Sequence, residues 1–181
     1  MSINSQILLY KYAKAFLNIH YKKIDENSVW NIKSAADFFN QNAGILLLFS
    51  IPKFSKSAKA EVLNKMLEKF KLPQIFGDLF KLLLEHNRPL LFGKVLAEIF
   101  QLYPSYIDVD LYNFKSVIKL SDEEATGCKN FLESKINKKV IFQNIIDENL
   151  IAGIRLQSKN KMWDCSIKSK IDRLKALARR G

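Results

Sequence analysis

Apolar positions recur at helical spacing through the first hundred residues and then change rhythm. In "SQILLYKYAKAFLNIHYKK", Leu8, Tyr12, Ala15 and Ile19 form one stripe, and Leu9, Ala13, Phe16 and His20 form the next. "SVWNIKSAADFFNQN" follows, with Ser28 as the expected N-cap. A short apolar helix, "AGILLLFS", is expected to end at Pro52. Ser55 or Ser57 is placed to cap "AKAEVLNKMLEKF", where Val62 pairs with Met66 and Leu63 lines up with Leu67 and Phe70. Pro73 opens "PQIFGDLFKLLLEH". Pro89 opens "PLLFGKVLAEIFQLY", in a first turn where its missing N–H is harmless. The expectation is a six-helix bundle over residues 1–105.

After Tyr103-Pro104 the pattern loosens to alternation, with β-branched and aromatic residues in "YIDVDLYNFKSVIKL". "SDEEATGCKNFLESKI" opens with a capping box, Ser121 with Glu124, and has three acids in its first turn, so it reads as a helix. "KKVIFQNII" and "NLIAGIRLQ" read as strands; "KMWDCSI" either continues the second of these or makes a short one of its own. A last helix puts Ile167, Ile171, Leu174 and Leu177 or Ala178 on one side. Ser166 is its expected N-cap, and Arg179 and Arg180 stand at its C-terminal end. The fold expected is therefore mainly α, with a small α/β domain over residues 106–181. Gly153 is the oddity, since a glycine inside an apolar strand marks a bulge or a close approach of another backbone.

Two helices are more apolar than an outer bundle position requires. At about 100° per residue the first is apolar over roughly 200°, leaving only Lys11, Lys14 and Asn18 as a polar strip. In the fifth, Ile75, Phe76, Leu79, Phe80, Leu82, Leu83 and Leu84 leave only Asp78, Lys81 and Glu85 polar. Either both helices are central in the bundle, or their surplus apolar surface forms a groove for a partner helix.

Composition narrows the class. The net charge of +11 invites a nucleic-acid partner. The excess is spread evenly, however: +6 before residue 105 and +5 after it. Of the 29 basic residues 24 are Lys, whereas base edges are read best by the fork of Arg. A Lys-rich solvated surface accounts for the charge; an acidic partner or a membrane surface is the alternative. No apolar run approaches the ~20 residues of a membrane span, and no secretory signal opens the chain. Two lone thiols, Cys128 and Cys165, suit a reducing cytoplasm. His20 and His86 have no ligand-spaced neighbours. Phosphate-cradling glycine loops and nucleophile elbows are missing as well. The chain is expected to hold neither metal nor cofactor and to catalyse nothing.

Three stretches carry a resemblance: "KYAKAFLNI" near the start, "EHNRPLLFGKVLAEIFQLY" closing the helical part, and "IDENLIAGIRLQSKNKMWDCSIKSKIDRLKAL" at the C-terminus. Together they resemble the delta subunit family of bacterial F-type ATP synthases, whose mitochondrial relative is the oligomycin-sensitivity-conferring protein. The most specific piece is the last, with Gly153 before alternating residues and Asp164-x-Ser166 opening the final helix. The chain departs from the family in having Ala152-Gly153 where many members have Gly-Gly, and Ser116-Val117 where Ser-Ala is frequent.

The resemblance implies a stator. The helical domain would cap the catalytic head and hold the N-terminal helix of an alpha subunit in a groove between the first and fifth helices. The α/β domain would meet the far ends of the b subunits. One copy per complex is implied, with no self-association and no nucleic acid, peripheral to the membrane at its cytoplasmic face in a bacterium. By match to the family's first helix, Tyr12, Ala15 and Phe16 are expected in the groove. Leu8, Leu79, Leu82 and Leu83 are added from the helical wheel. A nucleic-acid-binding module or a generic helical adaptor is the alternative if the resemblance misleads.

Overall fold

A computed structural model describes residues 3–49, 51 and 55–178. The chain forms two compact units, Met1–Ile107 and Asp108–Gly181.

The first unit is helical: α1 Ile3–His20, α2 Val29–Gln41, α3 Ala43–Leu48, α4 Lys56–Lys69, α5 Ile75–Glu85 and α6 Phe92–Tyr106. Short 3-10 turns precede α2 and α6. Of the two stripes on α1, the second faces the core, with Leu9, Ala13 and Phe16 buried beside Leu17. Phe39, Phe49, Phe80 and Phe92 interlock edge to face, with centroids 4.7–5.2 Å apart, and join α2, α5 and α6 into one core. Ser55 caps α4 by accepting from the Ala58 amide. Ser28 makes no cap bond, because the 3-10 turn Glu26–Ser28 already leads into α2 and its backbone supplies the local hydrogen bonds. Pro52, expected to stop α3, lies outside the described residues, as do Arg179 and Arg180.

The break between the parts falls later than the Tyr103-Pro104 boundary read from sequence. Pro104 lies inside α6, which runs on to Tyr106. In a last turn proline forfeits little, and tertiary contacts hold that turn in place. The Tyr103 hydroxyl donates to the Ile24 carbonyl at 2.8 Å, and Tyr106 donates to Asn18 Oδ1 at 2.7 Å.

The second unit is a four-stranded mixed sheet with two helices. β1 Val109–Ser116 pairs parallel with β2 Lys139–Ile146 and antiparallel with β3 Ile154–Gln157; β4 Met162–Asp164 pairs antiparallel with β3. The order is β2-β1-β3-β4. The parallel pair needs a crossover, and α7 Asp122–Ile136 provides it, opened by the full Ser121–Glu124 capping box. Tyr112, Phe114, Leu132, Val140 and Leu156 form the core. Asn144 ties the β1–α7 loop to the sheet: its amide donates to Phe114 O and Ser116 Oγ, and its carbonyl oxygen accepts from the Leu120 amide. The chain closes with α8, Ile167–Ala178.

"NLIAGIRLQ" is not one strand. Glu148–Leu150 is a 3-10 turn, Ile151 and Gly153 have φ of +67° and +91°, and only Ile154–Gln157 joins the sheet. Gly153 thus turns the chain into β3 instead of lying within it.

Candidate partner-binding groove

α1 and α5 run antiparallel. Tyr12 meets His86 just past the end of α5, its hydroxyl 2.7 Å from Nδ1, while the Phe16 and Phe76 rings meet near the start of α5, tilted by 41° with centroids 5.1 Å apart. An apolar groove of about 320 Å³ opens between the two helices. Tyr12, Ala15, Phe16, Ile19 and His20 line it from α1. From α5 come Ile75, Asp78, Leu79 and Leu82. Phe16 and Leu79 are buried and make the floor, whereas Ile19 is 72 % and Leu82 41 % exposed on the rim. The stripe of α1 that does not face the core is therefore the groove wall. His20 Nδ1 is buried with no hydrogen-bond partner, and Asp78 pairs on the surface with Lys81 at 3.2 Å.

Of the seven residues expected in a groove, Tyr12, Ala15, Phe16, Leu79 and Leu82 line it. Leu83 does not: it is fully buried, because one further residue along α5 turns the side chain from rim to core. Leu8 is half-buried and outside the lining. Ile19, His20, Ile75 and Asp78 complete the groove. Ile19 already stood in the correct stripe, and Ile75 in the apolar face of α5. A second, larger cleft of about 740 Å³ lies on the other flank of α1, where Ile7 and Tyr10 face Asn40 of α2 and Lys94, Ala97 and Glu98 of α6. Nothing in the sequence pattern pointed to it.

In the second unit Gly153, Asp164 and Ser166 come together at one junction. Asp164 lies opposite Arg155 across the β3–β4 pair. Its carboxylate accepts from Arg155 Nε at 2.7 Å, from Ser166 Oγ at 2.6 Å and from the Ser166 amide at 3.0 Å. Burial opposes its ionisation, but the two Ser166 donors and the Arg155 guanidinium outweigh it and hold the carboxyl below the usual range. Ser166 Oγ in turn accepts from the Ser169 amide and caps α8. The Ile167 amide donates to Ala152 O and the Cys165 amide to Ile154 O, which brings two backbones together beside Gly153. Cys128 packs half-buried on α7; burial, with smaller contributions from Glu124 and Cys165, pushes its thiol up. Among the described residues no group of three His, Cys, Asp or Glu side chains is placed to hold a metal, and no described helix is long and apolar enough to cross a membrane.

An apolar groove bounded by two antiparallel helices has the shape that a protein holding a partner helix presents. The comparisons with known proteins make this specific. Residues 8–177 match the family model of the ATP synthase delta (OSCP) subunit, and the chain belongs to that family. The relatives include ATP synthase subunit delta of Thermosipho africanus, 30 % identical over 183 residues, covering 93 % of this chain and 92 % of that one. ATP synthase subunit delta of Trichlorobacter lovleyi is 26 % identical over 177 residues, covering 94 % and 96 %. The fold is similar to that of a chain in the cryo-EM structure of the Toxoplasma gondii mitochondrial ATP synthase hexamer, with a TM-score of 0.52 and 18 % identity over 94 % of this chain and 97 % of that one. The protein is a stator component of an F-type ATP synthase, a structural and not a catalytic subunit of its peripheral stalk, associated with the membrane through the complex.

Proposed function

We propose that the α1–α5 groove holds the N-terminal helix of an alpha subunit, and that the second unit meets the far ends of the b subunits. The observation that carries this reading is the open groove itself, in a chain of this family. Its floor is buried, Ile19 and Leu82 stand exposed on its rim beside the charged Asp78, and it lies between two antiparallel helices, which is the shape an amphipathic helix fills. The six helices of the first unit then serve as the head-binding domain and the second unit as the stalk-binding domain. One copy sits in each complex, at the cytoplasmic face of a bacterial membrane.

The role is mechanical. Torque from the rotor would turn the catalytic head idly unless the head were anchored, so the groove must hold through every step of rotation. An apolar contact suits this, because it depends little on ionic strength. Nucleic-acid binding is the second reading, and only the net charge favours it.

Titration calorimetry of the full-length protein with a peptide from the alpha N-terminus, at low and high salt, tests both. Tight binding that survives high salt and disappears in Tyr12→Asp supports the groove. Failure of the folded protein to bind the peptide at either salt rejects it. Affinity for nucleic acid that collapses with salt would favour the second reading.

A further inference from the structure

The α1–α5 groove is apolar along most of its lining and polar at one end. His20, the last residue of α1, and Asp78, in the first turn of α5, both line it there, beside Ile19 and Ile75. His20 Nδ1 is buried and has no hydrogen-bond partner among the described residues. Trp30 Nε1 and the Tyr112 hydroxyl are in the same condition, but neither residue lines the groove or the second cleft.

A buried nitrogen left unpaired costs free energy, and native proteins hold few of them. The cost is recovered when a ligand brings the missing group. His20 is placed for this. Its ring rests against Phe16 of the groove floor, with centroids 5.1 Å apart, and the broad χ2 torsion of histidine lets the ring turn Nδ1 into the groove that it lines. Its polar neighbour in the lining accepts and does not donate, since a carboxylate offers only acceptor oxygens. The bond that Asp78 receives from Lys81 at 3.2 Å lies on the surface and leaves room for a second donor.

We propose that His20 fixes the register of the helix held in the groove: that helix carries one hydrogen-bond donor side chain, a hydroxyl, carboxamide or ammonium group, which bonds His20 Nδ1 and the Asp78 carboxylate where α5 begins. The imidazole then accepts at Nδ1 and keeps its proton on Nε2. Apolar contacts alone leave a helix free to slip by a turn, whereas one buried polar pair specifies a single register at a cost in stability. A side chain that only accepts, Glu or Asp, is rejected at this end. The inference rests on the groove holding a helix, and deepens that reading by naming the residue that positions it.

The test is titration calorimetry of the full-length protein and its His20→Phe variant with the alpha N-terminal peptide, and with peptide variants in which each polar residue in turn becomes Leu. Phenylalanine keeps a flat ring and removes the unpaired nitrogen. His20→Phe should therefore raise the melting temperature of the free protein while weakening the peptide about tenfold. One Leu-substituted peptide should lose the same factor against the wild-type protein and nothing further against His20→Phe, and the residue replaced in it should be a donor. Asp78→Leu should weaken the unsubstituted peptide several-fold and leave that Leu-substituted peptide unaffected. Undiminished binding by His20→Phe, a lower melting temperature in that variant, or an acidic residue as the coupled one would overturn the proposal. If the wild-type protein does not bind the unsubstituted peptide, the groove reading falls and takes the inference with it; if the wild type binds and His20→Phe binds equally well, only the inference falls.

Discussion

A Cβ added to Gly153 would lie 2.6 Å from the carbonyl oxygen of Cys165 and 3.0 Å from Ser166 Cα. Both neighbours are backbone, and Cys165 is fixed by its own hydrogen bond to Ile154 O. Glycine is required here twice over: for the positive φ of +91°, and for the space. The strand β3, the N-cap of α8 and the Asp164–Arg155 pair all converge on this contact.

Gly153→Ala should therefore destabilise the second unit by more than the strain at a positive φ alone, about 1–3 kcal/mol. Gly127 is the control. It lies inside α7 with nothing within 4 Å of an added Cβ, so Gly127→Ala should stabilise by up to about 1 kcal/mol. Urea unfolding of both variants checks this; equal effects would show that the Gly153 contact is not a constraint.

Leu82 and Leu83 are neighbours in sequence with opposite duties. Leu83→Ala empties a fully buried site and should cost about 2–5 kcal/mol of stability. Leu82→Ala should leave stability within about 0.5 kcal/mol while weakening the alpha peptide several-fold, since Leu82 forms the rim of the groove. Thermal unfolding and calorimetry on the same two proteins separate the roles.

At Tyr12 the ring and the hydroxyl make different contributions. The hydroxyl bonds to His86 on the exposed side, and a hydrogen bond of this kind contributes about 0.5–1.5 kcal/mol net. Tyr12→Phe should keep both fold and peptide binding; Tyr12→Asp should keep the fold and lose the peptide. Loss of binding in Tyr12→Phe would mean that the hydroxyl, and not the apolar wall, carries recognition.

Asp164 predicts a pH dependence. Its folded carboxyl titrates below the ordinary value of 3.8, so the stability it contributes is present above that value and is lost as pH falls through the lower folded one. Acid unfolding of the second unit should be shallower in Asp164→Asn, which lacks this contribution at any pH. Arg155→Met should show the same loss in part, because the Ser166 donors remain. Circular dichroism across pH 2–6 measures both.

Much of this molecule was determined by sequence alone. Helical periodicity located α1, α5 and α6, the Ser121–Glu124 box opened α7, and the resemblance of three stretches pointed to the family. These features are local, set by hydrogen bonds and spacing within one turn or one run. Only the tertiary structure decided which side of each broad apolar face was core and which was groove, because the two sides of α1 and α5 read alike until neighbours cover one of them. So Leu83 went inward and Leu82 outward, although both leucines are equally apolar. Tyr103 and Tyr106 carried α6 past Pro104 through partners 79 and 88 residues away. Gly153 left the strand for the same reason: the backbone that forbids it a side chain, at Cys165 and Ser166, comes from farther along the chain and meets it only when the fold is complete.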